Sequence, residues 1–246
     1  MQLRLKITNK NNDELILPVN YNNLLQAFIY NNINLKLAEF LHTEGFPINS
    51  RTYKLFAFSK LKGSYEFIKT NKTIIFSPDA EIVISSPINE FYNEIGQLIV
   101  KSKELYLGNQ EIEIKEINIK DIKVKNEIIK LKTLSPIVAY STLYKADGKK
   151  RTCYYQPGDA DYDEIITNNL KKKYEAFYQL QPPERMVQIK PLGNMRMRKS
   201  FYKGIEIRGY EGRIKVTGPV DLLQMGVDAG FGSKNAQGYG CVEVMW

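Results

Sequence analysis

At 246 residues, with 43% hydrophobic and 25% charged residues, the chain has the composition of a soluble globular protein with one large domain or two ordinary ones. It has a single histidine and two distant cysteines with no CxxC pair, which argues against a disulfide framework, a zinc site and a histidine-cluster metal site. The net charge of +8 recurs along the chain and favours a polyanionic partner, nucleic acid before membrane.

The first half of the chain predicts the order strand, helix pair, β-hairpin, helix, strand. The N-terminal segment MQLRLKITNK alternates apolar and polar residues as a half-buried strand does, and it predicts neither a signal peptide nor a membrane span. We therefore expect a cytoplasmic protein. Two helices follow in YNNLLQAFIYNNI and LKLAEFLHTEG, the second ending at Gly45. Strands are predicted in YKLFAFSKL, FIKTNKTIIFS and EIVISS, then a helix in NEFYNEIGQLIVKSK and a strand in EIEIKEINI.

A similar order begins again near residue 124. The second half predicts a strand entering a loop in EIIKLKTLSPIVAYS, a long helix in DYDEIITNNLKKKYEAFYQL, three strands in VQIKPL, KGIEIRGYEG and RIKVTGP, a short helix in PVDLLQMGVDAG and a last strand in GCVEVMW. The order βαββαβ is thus found twice, with an extra hairpin in the second half. It predicts an α+β fold of two tandem ferredoxin-like domains, residues 1–123 and 124–246. RNA-recognition modules share this plan, but the RNP1 pattern is absent.

The stretch GFGSKNAQGYG near the C-terminus is a candidate anion-binding loop. Its glycines Gly230, Gly232, Gly238 and Gly240 allow positive φ and close approach of another backbone. Exposed N–H groups in such a turn form an anion-binding concavity, and Lys234 adds a full charge. Because the loop follows a predicted helix, the dipole of a helix N-terminus does not act here. The alternative is a flexible connection between a helix and a strand.

Three polar residues are expected at one end of the first domain. Tyr30 ends the first helix off its apolar stripe, His42 lies near the end of the second, and Lys54 opens the strand YKLFAFS. Cleavage of RNA by its own 2′-hydroxyl needs proton transfer and a cation for the charge developing on the phosphate. These residue types fit that reaction better than Mg²⁺-dependent hydrolysis, for which the sequence shows no carboxylate cluster. The alternative is that the lone histidine is a bystander.

Five segments in order resemble the Cas6 family, the CRISPR repeat-RNA endoribonucleases: FIYNNI, LAEFLHTEG, YKLFAFS, TLSPI and GFGSKNAQGYGCVEV. The resemblance spans residues 28–246. It implies tandem ferredoxin-like domains and metal-independent cleavage of CRISPR precursor RNA within each repeat, leaving a 2′,3′-cyclic phosphate and a 5′-hydroxyl. It also implies that Tyr30, His42 and Lys54 are the active-site residues. The spacing before the lysine varies in the family, so Lys60 and Lys62 are alternatives to Lys54.

The resemblance further implies RNA contacts in the second domain. The glycine loop becomes a cradle for the RNA backbone, so Gly232→Val or Gly238→Val is expected to weaken RNA binding in a folded protein. The basic stretch NMRMRKSFYKG predicts a hairpin with Phe201 or Tyr202 stacking on a base, and with four phosphate contacts: Arg196, Arg198, Lys199 and Lys203. The alternative is a solvated hairpin edge. Lys171, Lys172 and Lys173 are expected on the wet face of the long helix.

Two other functions stay open at this point. A non-cleaving RNA-binding subunit of a CRISPR effector complex would share the fold and bind RNA without cutting it. A phosphate-binding enzyme for small nucleotides would explain the glycines, but the strand–GxGxxG–helix context of that motif is missing. The expected partners are CRISPR repeat RNA and, beyond it, other Cas proteins and a second copy of the chain. No cofactor or metal is expected.

Overall fold

The computed structural model describes residues 1–11, 14–97, 104–144 and 148–245. The first half contains ten strands and three helices in these parts of the chain. The strands are β1 (Gln2–Asn9), β2 (Leu15–Pro18), β3 (Phe46–Ile48), β4 (Arg51–Tyr53), β5 (Ala57–Phe58), β6 (Tyr65–Ile68), β7 (Thr73–Phe76), β8 (Ala80–Ser85), β9 (Leu105–Leu107) and β10 (Gln110–Lys120). The helices are α1 (Asn22–Asn31), α2 (Leu35–Thr43) and α3 (Asn89–Gly96).

The second half contains eight strands and two helices among the described residues. The strands are β11 (Ile128–Thr133), β12 (Ala139–Tyr144), β13 (Lys150–Tyr155), β14 (Gln188–Pro191), β15 (Arg196–Tyr202), β16 (Ile205–Glu211), β17 (Arg213–Thr217) and β18 (Val242–Met245). The helices are α4 (Tyr162–Tyr178) and α5 (Val220–Ala229), and a short 3₁₀ turn covers Asn235–Gln237.

Each half is built on an antiparallel sheet with the strand order of a ferredoxin-like unit. The first sheet has the order β5-β8-β1-β10-β9, which places the second, third, first and fourth strands of a βαββαβ unit side by side and adds β9 at the edge. The second sheet repeats that order as β14-β17-β11-β18. The predicted α+β fold with two tandem ferredoxin-like units is therefore confirmed.

The alternation in β1 and the stripe in α1 account for the first core. Leu3, Leu5 and Ile7 are fully buried on one face of the sheet, where α1 packs Leu25 and Ile29 against them. Burying each such side chain stabilises the fold by about 1.5–3 kcal/mol. Helix α2 contributes fewer buried side chains than α1, because Leu41 is its one buried residue. This helix therefore lies on the surface, with His42 exposed to solvent.

Some predicted elements differ from the observed ones. Only Ala57–Phe58 of the segment YKLFAFSKL forms a strand in the first sheet, and Lys54 lies in the loop before it rather than at its start. Residues 15–18, for which no element is predicted, form strand β2. Helix α3 ends at Gly96, and the rest of that predicted helix, from residue 98, lies outside the described residues.

The two halves are joined by hydrogen bonds and by a buried seam. The Ser135 hydroxyl donates to the Phe58 carbonyl (3.0 Å), and the Gln2 side-chain amide donates to the Val242 carbonyl (2.7 Å). Cys241 is buried against Ala57 and Val83 of the first sheet. The predicted domain boundary after residue 123 stays a prediction. None of the helices in the described part of the chain is long and apolar enough to cross a membrane.

Candidate active site

A cleft of about 740 Å³ lies where helices α1 and α2 of the first half face the second half. One wall comes from α1, α2 and the loop after β4. The other comes from the turn between β15 and β16 and from residues 234–237, which belong to the glycine loop, defined here as residues 230–240. The polar side chains with acid–base or cationic chemistry that line it are Tyr30, His42, Lys54, Tyr202, Lys203 and Lys234.

The short connection between α1 and α2 brings Tyr30 and His42 together. The Asn32 side chain donates to the Phe28 carbonyl (2.8 Å) at the end of α1, and the Asn34 side chain caps α2 by accepting the Leu37 N–H (3.1 Å). The rings of Tyr30 and His42 consequently meet edge to face, with centroids 6.2 Å apart. The sequence predicts that the two residues lie at the same end of the first domain, and in the structure both line the cleft.

Tyr30 is a half-buried phenol rather than a base. Its ring packs edge to face on Phe56, with the centroids 5.7 Å apart. Burial raises the pKa of Tyr30 to about 12. At neutral pH the group therefore keeps its proton and offers an O–H donor to the cleft.

A hairpin returns the chain from the end of α2 to bring Lys54 beside His42. Gly45 adopts φ +58°, and a Cβ there would lie 2.7 Å from the Tyr53 carbonyl oxygen, so glycine permits the hairpin to pass this closely. The Lys54 ammonium then donates to the His42 backbone carbonyl (2.8 Å), near the negative end of the helix dipole. Partial burial lowers the pKa of Lys54 from its usual range.

The opposite wall contributes two more cations. Lys203 is exposed at the β15–β16 turn, with its ammonium 5.9 Å from the centre of the Tyr202 ring. Lys234 is half-buried in the glycine loop, 5.5 Å from the centre of the Tyr140 ring, and burial lowers the pKa of its ammonium. The cleft therefore combines two phenols and an imidazole with three lysines.

The structure does not gather all the predicted RNA-binding residues in this cleft. Arg198, Lys199 and Phe201 line a separate cavity of about 290 Å³, together with Lys60 and Tyr65. There the cations have acidic partners, since Lys60 and Arg198 both pair with Glu211 and Lys199 pairs with Glu206. Arg196 is exposed at the start of β15. Lys54 lines the cleft with His42, whereas Lys60 lies in the other cavity and Lys62 is exposed beside Glu81.

The glycine loop has the predicted backbone but a different exposure. All four predicted glycines have positive φ, between +71° for Gly232 and Gly240 and +88° for Gly238. All four are also buried. The N–H of Gly238 donates to the Asn235 carbonyl (3.0 Å), and that of Gly240 donates to the Pro136 carbonyl (2.8 Å). The expectation that successive N–H groups face outward as an anion-binding concavity is therefore wrong for the N–H groups of Gly238 and Gly240, because each already donates to a carbonyl of the protein.

Sequence reasoning also missed the lysine that holds this loop. Lys173 was expected on the wet face of α4, but its side chain is 2% exposed and donates into the glycine loop. A signal was available, because Lys173 stands three residues after Leu170 and seven after Ile166, on the buried stripe of the helix. Lysine is rarely buried, so a run of three lysines by itself favours the exposed face of a helix.

Comparisons with known proteins agree on one family. The model of the family described as "CRISPR associated protein Cas6, C-terminal" matches residues 115–244. The chain is 32% identical to the CRISPR-associated endoribonuclease Cas6 1 of Methanocaldococcus jannaschii, over 98% of this chain and 92% of that protein. A solved structure described as "CRISPR associated protein Cas6" superimposes with a TM-score of 0.79 at 29% identity, covering 100% of this chain and 99% of that one.

A further solved structure, described as an RAMP protein binding different RNA substrates, has a TM-score of 0.81 at 22% identity and covers both chains completely. At that identity the likeness concerns the fold. The fold and the sequence matches together define a CRISPR-associated protein. The chain belongs to the Cas6 family of CRISPR-associated endoribonucleases.

Proposed function

We propose that this protein cleaves CRISPR repeat RNA by attack of a 2′-hydroxyl on the adjacent phosphate, without a metal ion. The observation that carries the proposal is the cleft in which Tyr30, His42 and Lys54, from three segments, face Lys203 and Lys234. Family membership supports RNA as the substrate, because the relative in M. jannaschii is named a CRISPR-associated endoribonuclease. The products would carry a 2′,3′-cyclic phosphate and a 5′-hydroxyl.

The proposed reaction assigns each side chain a task. The 2′-oxygen forms a bond to phosphorus while the bond from phosphorus to the 5′-oxygen breaks. The 2′-hydroxyl gives up its proton and the departing 5′-oxygen gains one. Histidine is the side chain that most often transfers protons in enzymes, so His42 is the proton-transfer group. Tyr30 donates a hydrogen bond from its neutral phenol to the charged phosphate, and Lys54 stabilises the negative charge that builds up there.

Replacing Tyr30 by phenylalanine is expected to slow cleavage by about 10–100-fold. A hydrogen bond to a charged group contributes about 1.5–3 kcal/mol, and the remaining ring still packs on Phe56. With a pKa of about 12 the parent phenol stays protonated, so loss of its proton should not slow the parent between pH 8 and 10. Single-turnover rates against pH test this, with Tyr178→Phe on α4 as the matched control. A Tyr30→Phe rate equal to that of Tyr178→Phe would contradict the donor role.

Lys203 and Lys234 are expected to bind RNA phosphates. For single-stranded nucleic acid, each phosphate contact contributes roughly 0.7 to the slope of log K against log salt. Lys203→Ala and Lys234→Ala should each reduce the magnitude of that slope by about 0.7, measured by binding of an uncleavable RNA at several salt concentrations. Lys123→Ala is the control, because Lys123 is exposed and pairs with Asp121 (3.3 Å). An unchanged slope in both cleft variants would remove these lysines from the RNA interface.

The chemical outcome is tested by mass spectrometry of the product ends. The parent protein, incubated with CRISPR-repeat RNA, should yield fragments ending in a 2′,3′-cyclic phosphate and fragments beginning with a 5′-hydroxyl. Fragments with 5′-phosphate ends would contradict transesterification. RNA that is bound but intact would instead favour a non-cleaving subunit of an effector complex.

The remaining expectations stay proposals. Arg196, Arg198 and Lys199, with Phe201, would contact RNA outside the active-site cleft, and Gly230, Gly232, Gly238 and Gly240 would act by shaping the loop that presents Lys234. Other Cas proteins and a second copy of the chain are proposed partners, and the cytoplasm is the proposed location.

A further inference from the structure

The glycine loop is held from inside the protein by one buried lysine. The Lys173 ammonium donates to the Gly230 carbonyl (2.6 Å), the Gly232 carbonyl (3.0 Å) and the Asn235 side-chain oxygen (2.7 Å). An ammonium has three N–H donors and no acceptor, so these three bonds use it completely. Burial lowers the pKa of Lys173 to about 7, which is the consequence of placing this cation 2% exposed inside the protein.

Asn235 extends the hold of Lys173 across the loop. While its side-chain oxygen accepts from Lys173, its side-chain nitrogen donates to the carbonyls of Phe231 (3.2 Å) and Tyr239 (3.0 Å). The Phe231 N–H also donates to the Gly240 carbonyl (2.9 Å), which closes the loop at its base. The loop is therefore closed at its base, and two of its backbone carbonyls converge on one cation.

The outer edge of the same loop is attached to the helix that carries Tyr30. The Gln26 side chain donates to the Ala236 carbonyl (2.6 Å), and the Asn22 side chain donates to the Gln237 carbonyl (2.9 Å). The Tyr202 hydroxyl donates to the Gln26 side-chain oxygen, so the β15–β16 hairpin joins the same contact. Tyr30 follows Gln26 by four residues, on the same face of α1, and both line the cleft.

We propose that Lys173 is a positioning residue for RNA cleavage, which acts through the glycine loop and α1 to set the spacing between the two walls of the active-site cleft. This inference rests on the proposed function and adds a residue that does not touch the RNA. Removal of the ammonium leaves three converging acceptors without their donor, and the loop carbonyls would then turn toward water. The distance between Lys234 and α1 would then no longer be fixed. Small misplacements of reacting groups can slow a reaction by about 100-fold.

Hydrogen exchange tests the proposal without relying on catalysis. Lys173→Met is expected to speed amide exchange in the loop, at Gly238 and Gly240, and also in α1, while Lys172→Met, the matched control one residue away, exchanges like the parent. Faster exchange confined to the loop, with α1 unchanged, would overturn the proposal because Lys173 would then stabilise only its own surroundings. This readout decides the question even if the parent fails to cleave RNA, which would sink the proposed function alone.

Cleavage kinetics provide the second readout. Lys173→Met is expected to lower the single-turnover rate at saturating RNA by about 10–100-fold, while the RNA affinity stays within about threefold. Should Lys173→Met not fold, the double variant Asn22→Ala, Gln26→Ala leaves the lysine site intact and cuts the loop from α1. It should show the same loss of rate at near-parent affinity. A parent-like rate in the folded double variant would overturn the proposal.

Discussion

Replacing His42 by alanine is expected to lower the rate of RNA cleavage by about 10²–10⁴-fold, the usual contribution of a general acid–base group. His42 is the chain's only histidine, and its imidazole lines the cleft beside the Tyr30 ring. Its side chain is exposed on α2, so the truncation should change the free energy of unfolding by less than about 0.5 kcal/mol. RNA affinity should change little, because phosphate contacts dominate binding.

The measurement is a single-turnover cleavage assay, paired with binding of an RNA that carries a 2′-deoxy nucleotide at the cut site. Thr43→Ala is the matched control, because Thr43 is the exposed neighbour at the end of the same helix. If His42→Ala cuts as fast as Thr43→Ala, the proton-transfer role of His42 is wrong. If affinity falls together with the rate, His42 acts in binding rather than in the chemical step.

Replacing Gly240 by alanine is expected to destabilise the protein by about 4 kcal/mol or more, a loss in the exceptional range that overpacking of a buried position can produce. Gly240 has φ +71°, and a Cβ there would lie 2.0 Å from the Phe231 carbonyl oxygen. That oxygen is held in place, because it accepts from Asn235 inside the loop. The left-handed backbone alone costs an alanine about 1–2 kcal/mol, so most of the effect comes from the clash.

Gly193→Ala is the matched control for this effect. Gly193 also has positive φ, +96°, but a Cβ there meets nothing within 4 Å. Urea unfolding should therefore show a small loss for Gly193→Ala and a large one for Gly240→Ala, and equal midpoints would contradict the packing account. The same reasoning revises the expectation for Gly232→Val and Gly238→Val. A Cβ would lie 2.5 Å from the Val138 carbonyl oxygen or 2.6 Å from the Phe58 ring, so both should lose folded protein before RNA affinity can be judged.

Periodicity predicted most of the fold because it is a local property. The alternation in β1 and the apolar stripes of α1 and α4 follow from side chains a few residues apart, and these elements lie where the pattern predicts them. The strand predicted in YKLFAFSKL is longer than the observed one, since only Ala57–Phe58 pairs in the first sheet. The other apolar side chains of the segment are buried by packing and not by strand pairing. Burial and strand pairing have the same apolar signature in sequence.

The candidate active site was predictable in part, because some of its residues are close together in the sequence and others are far apart. Tyr30, His42 and Lys54 are joined by short connections, so their shared location followed from the order of elements and from the family resemblance. The bonds from Lys173 to the glycine loop join residues 57 to 62 positions apart, and that from Gln26 to the same loop joins residues 210 apart. No local pattern encodes such pairs.

The residues of the basic hairpin line two different cavities because of the length of its strands. An extended strand rises about 3.4 Å per residue, so Arg196 and Lys203 are separated by roughly 24 Å along the hairpin. The predicted cluster of phosphate contacts cannot therefore converge on one phosphate. Lys203 at the turn lines the candidate active-site cleft, whereas Arg198 and Lys199 line the separate cavity with Lys60.

We propose that repeat RNA is cleaved by its own 2′-hydroxyl without a metal ion. The most direct test of this proposal is a gel assay in EDTA on two CRISPR-repeat RNAs that differ only in one 2′-deoxy nucleotide at the cut site. The all-ribose RNA should be cut, and the 2′-deoxy RNA should bind equally well but stay intact. Cleavage of the 2′-deoxy RNA, or cleavage of the all-ribose RNA only after Mg²⁺ replaces EDTA, would contradict the proposal.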